Sequence, residues 1–346
     1  MDSLDIFRGF MALAVALYHF GYWFPVLVQG RFAADTAKKI GVYGVEGFFV
    51  VSGFCFFHLY GAELLTAAGA RTFFVKRFFR IAPLFYLAVA LNAALGFVGG
   101  GVPYTARMLA ENATLTFGLF HPNHALVLGG WSVGLEFVFY FAFPFLAWAA
   151  SRWKGFLAAG TVALVLLSMP WTFSYVSGAG PEGNANFHTY VAVANHAFLF
   201  LAGGLIAQVR AAWPIRLPRW AFLLLAGLLA AVFLARHRHF YDDFTIMVGW
   251  TRYLFCALAV AAVAVAAFYE APDSPVKTVG RYLGDVSYSV YLLHPLVREG
   301  MERLRPEGWA PWPGFIVAVA LTFGLSTLTY RFLERPMMAL GKRFAA

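Results

Sequence analysis

Arg8 and His19 are residue types that do chemistry, and their spacing puts them together. Eleven residues of helix turn through about 1,100° and rise about 16 Å, returning to within about 20° of the starting face. A guanidinium near the start of an apolar stretch and an imidazole near its middle therefore look the same way. The imidazole can exchange a proton near neutral pH, and the guanidinium can hold an anion or polarise a carbonyl. Asp5, three residues before Arg8, is placed to pair with it. A packing histidine and a head-group arginine would give the same residues singly; the shared face brings a site level with that reading.

Further candidates follow along the chain. Gly130-Trp131-Ser132-Val133-Gly134-Leu135-Glu136-Phe137-Val138-Phe139-Tyr140 puts a carboxylate about a turn and a half into an apolar run, with Tyr140 on its face. Glu136 can orient an imidazole, bind a sugar hydroxyl or pair with a charge such as Arg107. Glu46 precedes Phe48-Phe49-Val50-Val51-Ser52-Gly53-Phe54, where Ser52 and Gly53 are small enough to let helices approach. His294 closes Gly284-Asp285-Val286-Ser287-Tyr288-Ser289-Val290-Tyr291-Leu292-Leu293-His294-Pro295, with Tyr288 and Tyr291 at helical spacing beside it. Lys76-Arg77-Phe78-Phe79-Arg80 offers two arginines at i and i+3, a spacing that suits a phosphate and equally suits simple clustering of positive charge at a membrane face. His121 and His124 have no partners at metal-ligand spacing, so no metal is assigned, and neither a Gly-rich phosphate loop nor a nucleophile elbow occurs.

The elements that must carry these residues are membrane helices. Of 346 residues 61% are hydrophobic and only 12% charged, which excludes an ordinary water-facing surface. Apolar stretches of about twenty residues, the length that crosses a bilayer, predict ten spans: 8–29, 41–60, 82–100, 131–150, 155–175, 190–209, 219–235, 246–268, 284–299 and 312–333. The expected fold is an all-α polytopic bundle of about ten transmembrane helices, a single domain over 1–346 with no appended soluble domain. Residues 104–130, broken by Arg107, Glu111, His121, Pro122 and His124, read as an interfacial helix plus loop. The net charge of +9 lies in short clusters between spans, which argues for loops rather than nucleic acid. Arg71, Lys76, Arg77, Arg80, Arg152, Lys154, Arg210, Arg216, Arg219, Lys277, Arg281, Arg335, Lys342 and Arg343 follow even-numbered spans and place both termini in the cytoplasm. Arg31, Lys38, Lys39, Arg236 and Arg238 are exceptions, the last two offset by Asp242 and Asp243. Cys55 and Cys256 lie in apolar runs and read as small hydrophobes.

Five segments in order resemble acyltransferase family 3, integral-membrane O-acyltransferases of surface polysaccharides and related glycans. They are Leu4-Asp5-Ile6-Phe7-Arg8-Gly9 with His19, similar to an Arg-ten-residues-His signature; Gly44-Val45-Glu46-Gly47-Phe48-Phe49-Val50-Val51-Ser52-Gly53-Phe54; Arg77-Phe78-Phe79-Arg80-Ile81-Ala82-Pro83; Trp131-Ser132 with Glu136 and Tyr140; and Val286 to His294. Tyr330-Arg331-Phe332-Leu333-Glu334-Arg335-Pro336 resembles the family's C-terminal ending. Glu46 stands where relatives often have Asp, and Val133-Gly134 interrupts a run that is usually more polar.

The resemblance implies transfer of an acyl group, usually acetyl from acetyl-CoA, to a hydroxyl of a glycan or lipid-linked saccharide outside a bacterial cytoplasmic membrane. No cofactor would be held permanently; acetyl-CoA or another acyl-CoA would be a co-substrate. His19 would be general base or acyl-accepting nucleophile, with Arg8 and Glu136 beside it. Arg77, Arg80 and Lys76 would hold the CoA phosphates. Asp5, Glu46, Ser52, Trp131, Ser132, Tyr140, Tyr291 and His294 would support the site or the acceptor. The residues alone leave open a proton-coupled transporter, since intramembrane His, Glu and Arg also build proton relays. The chain shows no internal repeat that such a transporter would suggest.

Overall fold

The computed structural model describes residues 2–61, 63–98, 104–175, 183–236, 245–305 and 307–345. Its helices are α1 Asp2–Trp23, α2 Arg31–Tyr60, α3 Ala67–Val98, α4 Ala106–Thr114, α5 Phe117–Phe120, α6 Gly130–Arg152, α7 Phe156–Pro170, α8 Gly183–Tyr190, α9 Ala197–Ala212, α10 Arg219–Ala235, α11 Gly249–Ala267, α12 Pro275–Leu304, α13 Pro311–Thr329 and α14 Arg335–Phe344. Among the described residues there is no strand. Among the described residues, seven helical stretches are long and apolar enough to cross a membrane, α1, α2, Ala67–Gly96 within α3, α6, Phe156–Ser174, α11 and Pro311–Phe344, and α9 and α10 are shorter apolar helices. The protein is an all-α integral membrane bundle.

Each expected span falls on a helix, with several ends displaced for identifiable reasons. α1 stops at Trp23 rather than 29, because Phe24 precedes Pro25 and a residue before proline disfavours helical backbone. α2 starts at Arg31 rather than 41, so Arg31, Lys38 and Lys39 are helical rather than loop residues. Lys39 is fully buried, its Nζ donating to the carbonyls of Phe233 at 2.8 Å and Arg236 at 3.2 Å. It caps the end of α10, where helical carbonyls lack intrahelical donors. α3 starts at Ala67 rather than 82, because an aromatic-rich run carries the helix through Arg71, Lys76, Arg77 and Arg80. α9 starts at Ala197, after a short turn over Val193–Asn195, rather than at 190. Between α3 and α6, α4, α5 and a turn at Pro122–His124 are all too short to cross. Asn112 pins this segment by donating to the carbonyls of Met108 and His124 and accepting from the Leu126 amide. Residues 99–100 of the third expected span, and Arg238, Asp242 and Asp243, lie outside the described residues.

α12 is less apolar than the other long helices because its middle faces protein rather than lipid. Residues 286–297 are buried except for half-buried Tyr288, so Ser287, Ser289, Tyr291 and His294 can be accommodated by neighbouring helices. Pro295 removes the amide that would bond the Tyr291 carbonyl, freeing a backbone acceptor at the level of His294.

Glycines set how closely the helices approach. A Cβ on Gly284 would lie 2.3 Å from the Asp5 carbonyl oxygen, and one on Gly9 2.5 Å from the Gly284 amide nitrogen. The backbones of α1 and α12 therefore touch, as small residues permit in membrane bundles. We expect Gly284→Ala to lower stability by about 1–3 kcal/mol through overpacking. Gly227→Ala, where a Cβ meets nothing within 4 Å, should be neutral or slightly stabilising. Thermal unfolding of both variants in matched lipid nanodiscs checks the contrast.

Candidate active site

A cavity of about 370 Å³ runs between α1, α2, α3, α6 and α12. Asp5, Arg8, Cys55, Arg77 and Arg80 line it, together with Ser52, Glu136, Ser132 and Tyr291. Its volume falls within the range of small-ligand pockets. Five helices thus bring together residues separated by more than 280 positions. Lys76, Glu46, Trp131, Tyr140, His19 and His294 are not among the lining residues.

The two arginines of α3 have different circumstances. Arg80 donates to Glu334, which also accepts from Ser289. Glu334 is held by a π-helical turn, Tyr330–Glu334, between α13 and α14, so the C-terminal motif supplies the counter-charge to Arg80. The i, i+3 arginines are therefore not two equally available cations. Arg77 lies 4.6 Å from the Phe56 ring centre and 5.1 Å from that of Tyr60, and its buried Nε has no hydrogen-bond partner among the described residues. The aromatic faces attract and position this charge. Lys76 is half-buried on the same helix.

Arg8 and His19 both face α12. Arg8 donates to Ser287 at 3.4 Å and lies 3.6 Å from Asp5, while His19 Nδ1 lies 3.1 Å from His294 Nε2. Ser287 and His294 are two helical turns apart, matching the shared face on α1. His19 Nδ1 is also 3.0 Å from the Val15 carbonyl, and His294 Nδ1 is 3.0 Å from that of Val290. Trp23 stacks on His19 at 5.1 Å and on His294 at 6.0 Å, with the Arg298 guanidinium 4.9 Å from the Trp23 ring. The histidine pair sits one layer beyond the cavity wall. Tyr291 forms that wall with Phe48, and its ring lies 6.2 Å from His294.

Glu136 accepts from Ser52 at 3.1 Å in the cavity. Its contacts do not include His19, whose imidazole neighbour is His294 instead. The Ser132 and Tyr291 hydroxyls lie 2.9 Å apart, and each reaches the carbonyl of Gly129, at 3.0 and 3.1 Å; with one proton apiece they make two of these three bonds at a time. Tyr140, one turn after Glu136, is buried against Phe56 and Phe137.

Glu46 belongs to a separate network. It accepts from Arg252 at 2.9 Å and Tyr190 at 3.1 Å and lies 2.9 Å from His196 Nδ1, with Arg252 also donating to the Asn195 carbonyl. Glu46, Arg252 and His196 are all 0% exposed, and Trp131 and Phe49 pack on His196. Sequence reasoning overlooked Arg252, although a lone arginine in an apolar span calls for a buried counter-charge.

Near the start of α6, Glu111 gathers Arg107 and His121 at 2.9 Å and His124 at 2.7 Å. Glu111 thus gives His121 and His124 the close partner that sequence spacing did not show, and the three offer ligand atoms near enough to suggest a metal site. However, the His121 and His124 rings stack 4.5 Å apart and only 14° from parallel, so one ion cannot lie in both ring planes. The cluster is a hydrogen-bonded hub. Burial pushes the Glu111 carboxyl up, but bonds from His124, Arg107 and His121 outweigh it and hold the carboxyl below its ordinary value of 4.5. Its stabilising contribution is therefore complete above about pH 4.5 and is lost as pH falls through the lower folded value. Limited proteolysis should show 104–130 becoming susceptible in that acid window, with Glu111→Gln susceptible even at neutral pH. For the interior network, Glu46→Ala should cost about 3–5 kcal/mol by stranding Arg252, and the double change Glu46→Leu with Arg252→Leu should cost less. Folded yield and thermal unfolding read both.

Residues 1–331 match the sequence profile of a family described as an acyltransferase domain. The chain is 26% identical to the peptidoglycan O-acetyltransferase OatA of Listeria monocytogenes, over 99% of this chain and 56% of that protein. It is 25% identical to nodulation protein 10 of Rhizobium leguminosarum bv. viciae, over 98% of this chain and 94% of that protein. It thus spans little more than half the length of the Listeria relative. No solved structure matches it. With a single profile running through α1, the cavity helices and α12 to the turn before Glu334, the chain belongs to acyltransferase family 3.

Proposed function

We propose that this protein moves an acyl group, acetyl in the simplest case, from cytoplasmic acyl-CoA to a hydroxyl of a glycan or lipid-linked saccharide across a bacterial cytoplasmic membrane. The cavity carries this reading: a cationic end with an orphaned Arg77 donor continues to a hydroxyl- and carboxylate-lined end against the histidine pair. The Listeria relative, named as a peptidoglycan O-acetyltransferase, supports the reaction class.

Arg77 would hold an anionic part of the donor, with Arg80 beside it already neutralised by Glu334. Arg8 would polarise the thioester carbonyl as negative charge develops on its oxygen. The acceptor hydroxyl would give its proton to His19 as its oxygen attacks the carbonyl carbon; the new C–O bond forms, the C–S bond breaks, and the departing thiolate takes the proton. Because Tyr291 and Phe48 close the cavity short of His19, transfer requires the Tyr291 ring to leave its tether on Ser132 and Gly129. A proton-coupled relay fits less well, since Glu46 and Glu334 are locked to Arg252 and Arg80 rather than free to titrate in turn.

Radiolabelled acetyl-CoA, supplied to membranes containing the native chain, should label envelope glycans. His19→Ala should lower that rate by about 10²–10⁴-fold, the worth of a general base. Arg77→Ala should act chiefly by raising KM for the donor. Equal labelling by the native chain and His19→Ala would remove His19 from the chemistry, and no labelling by the native chain would overturn acetyl-CoA as donor.

A further inference from the structure

His294 plays no direct part in the scheme above, yet its hydrogen bonds constrain His19. Four groups are linked in series: the Val290 carbonyl, the His294 ring, the His19 ring and the Val15 carbonyl. The two carbonyls only accept. His294 Nδ1 faces the Val290 carbonyl at 3.0 Å, where two lone pairs would repel, so it carries a proton, which leaves Nε2 of the neutral ring as an acceptor. That acceptor faces His19 Nδ1 at 3.1 Å. His19 Nδ1 must then carry a proton too, shared between His294 Nε2 and the Val15 carbonyl. The opposite tautomer of His294 would set two N–H donors against each other and leave the Val290 carbonyl without its side-chain donor. Two protons complete the network, and one nitrogen is left with a lone pair: His19 Nε2, to which no described residue bonds.

We propose that His294 is a positioning residue that fixes the tautomer of His19, holding Nδ1 protonated so that Nε2 is the atom that takes the acceptor's proton. The proposal rests on His19 being the base argued above. His294 does with a neutral ring what a carboxylate does behind a catalytic histidine: it accepts from Nδ1–H and sets ring orientation. A neutral partner suits a buried site, because it adds no second charge to desolvate. Trp23, stacked on both rings, holds their relative orientation.

The test combines spectra with rates, using the full chain in lipid nanodiscs. With histidine nitrogens labelled by ¹⁵N, and signals assigned by their loss in His19→Gln, native His19 should show a protonated Nδ1 and an unprotonated Nε2. In His294→Phe, which keeps the ring volume but removes the acceptor, His19 should become a tautomer mixture and transfer should fall about 10–100-fold, as when an orienting partner of a functional histidine is lost. His294→Gln, whose Oε1 can accept from His19 Nδ1, should restore most of the rate and the native tautomer. Nε2-protonated His19 in the native chain, or His294→Gln no better than His294→Phe, overturns the proposal. Because the spectra need no substrate, a native chain that transfers no acyl group counts against the functional reading alone.

Discussion

The backbone contact between α1 and α12 is the constraint on which the rest of the site depends. Only because Gly9 and Gly284 carry no side chain can the two helices touch. That contact brings Arg8 to Ser287 and, three turns further along α1, His19 to His294. Both pairs lie on a seam whose spacing one glycine contact sets, so a displacement of even an ångström would open the 3.1 Å imidazole contact beyond hydrogen-bond reach.

Charge burial shapes the remaining architecture. In a lipid environment an unpaired charge costs several kcal/mol, so buried ions in the spanning helices are met from other helices. Glu46 on α2 is met by Arg252 on α11, and Arg80 on α3 by Glu334 beyond α13. Such pairs are weak sources of net stability but strong selectors among packings, since any arrangement that separates them leaves two costly charges. Arg77, by contrast, is clasped by aromatic faces rather than by a carboxylate, which leaves its charge available to a ligand.

Helical periodicity made the shared face of Arg8 and His19 legible, and hydropathy placed a helix under every expected span, including polar α12. Long-range pairing was not legible. Nothing local to His19 indicates that its partner is His294 rather than Glu136, since the choice depends on which helices touch. Glu46 looked like a site carboxylate because its partners at 190, 196 and 252 lie far along the sequence. Arg77 and Arg80 looked equivalent because Glu334, the residue that distinguishes them, comes 254 positions after Arg80. Helix ends shifted where aromatic runs or a proline, rather than average hydropathy, decided them.

That separation has a consequence for biosynthesis. At about 5–20 residues per second, Glu334 emerges from the ribosome on the order of 10–50 s after Arg80. Throughout that interval the arginine is in or near the bilayer without its counter-ion. The nascent bundle must therefore shelter it with water, lipid head groups or insertion machinery, and the cationic end of the cavity reaches its final electrostatics only when the last helices dock. A chain released before residue 334 would carry an uncompensated cation in its interior, a defect of the kind membrane quality control can recognise.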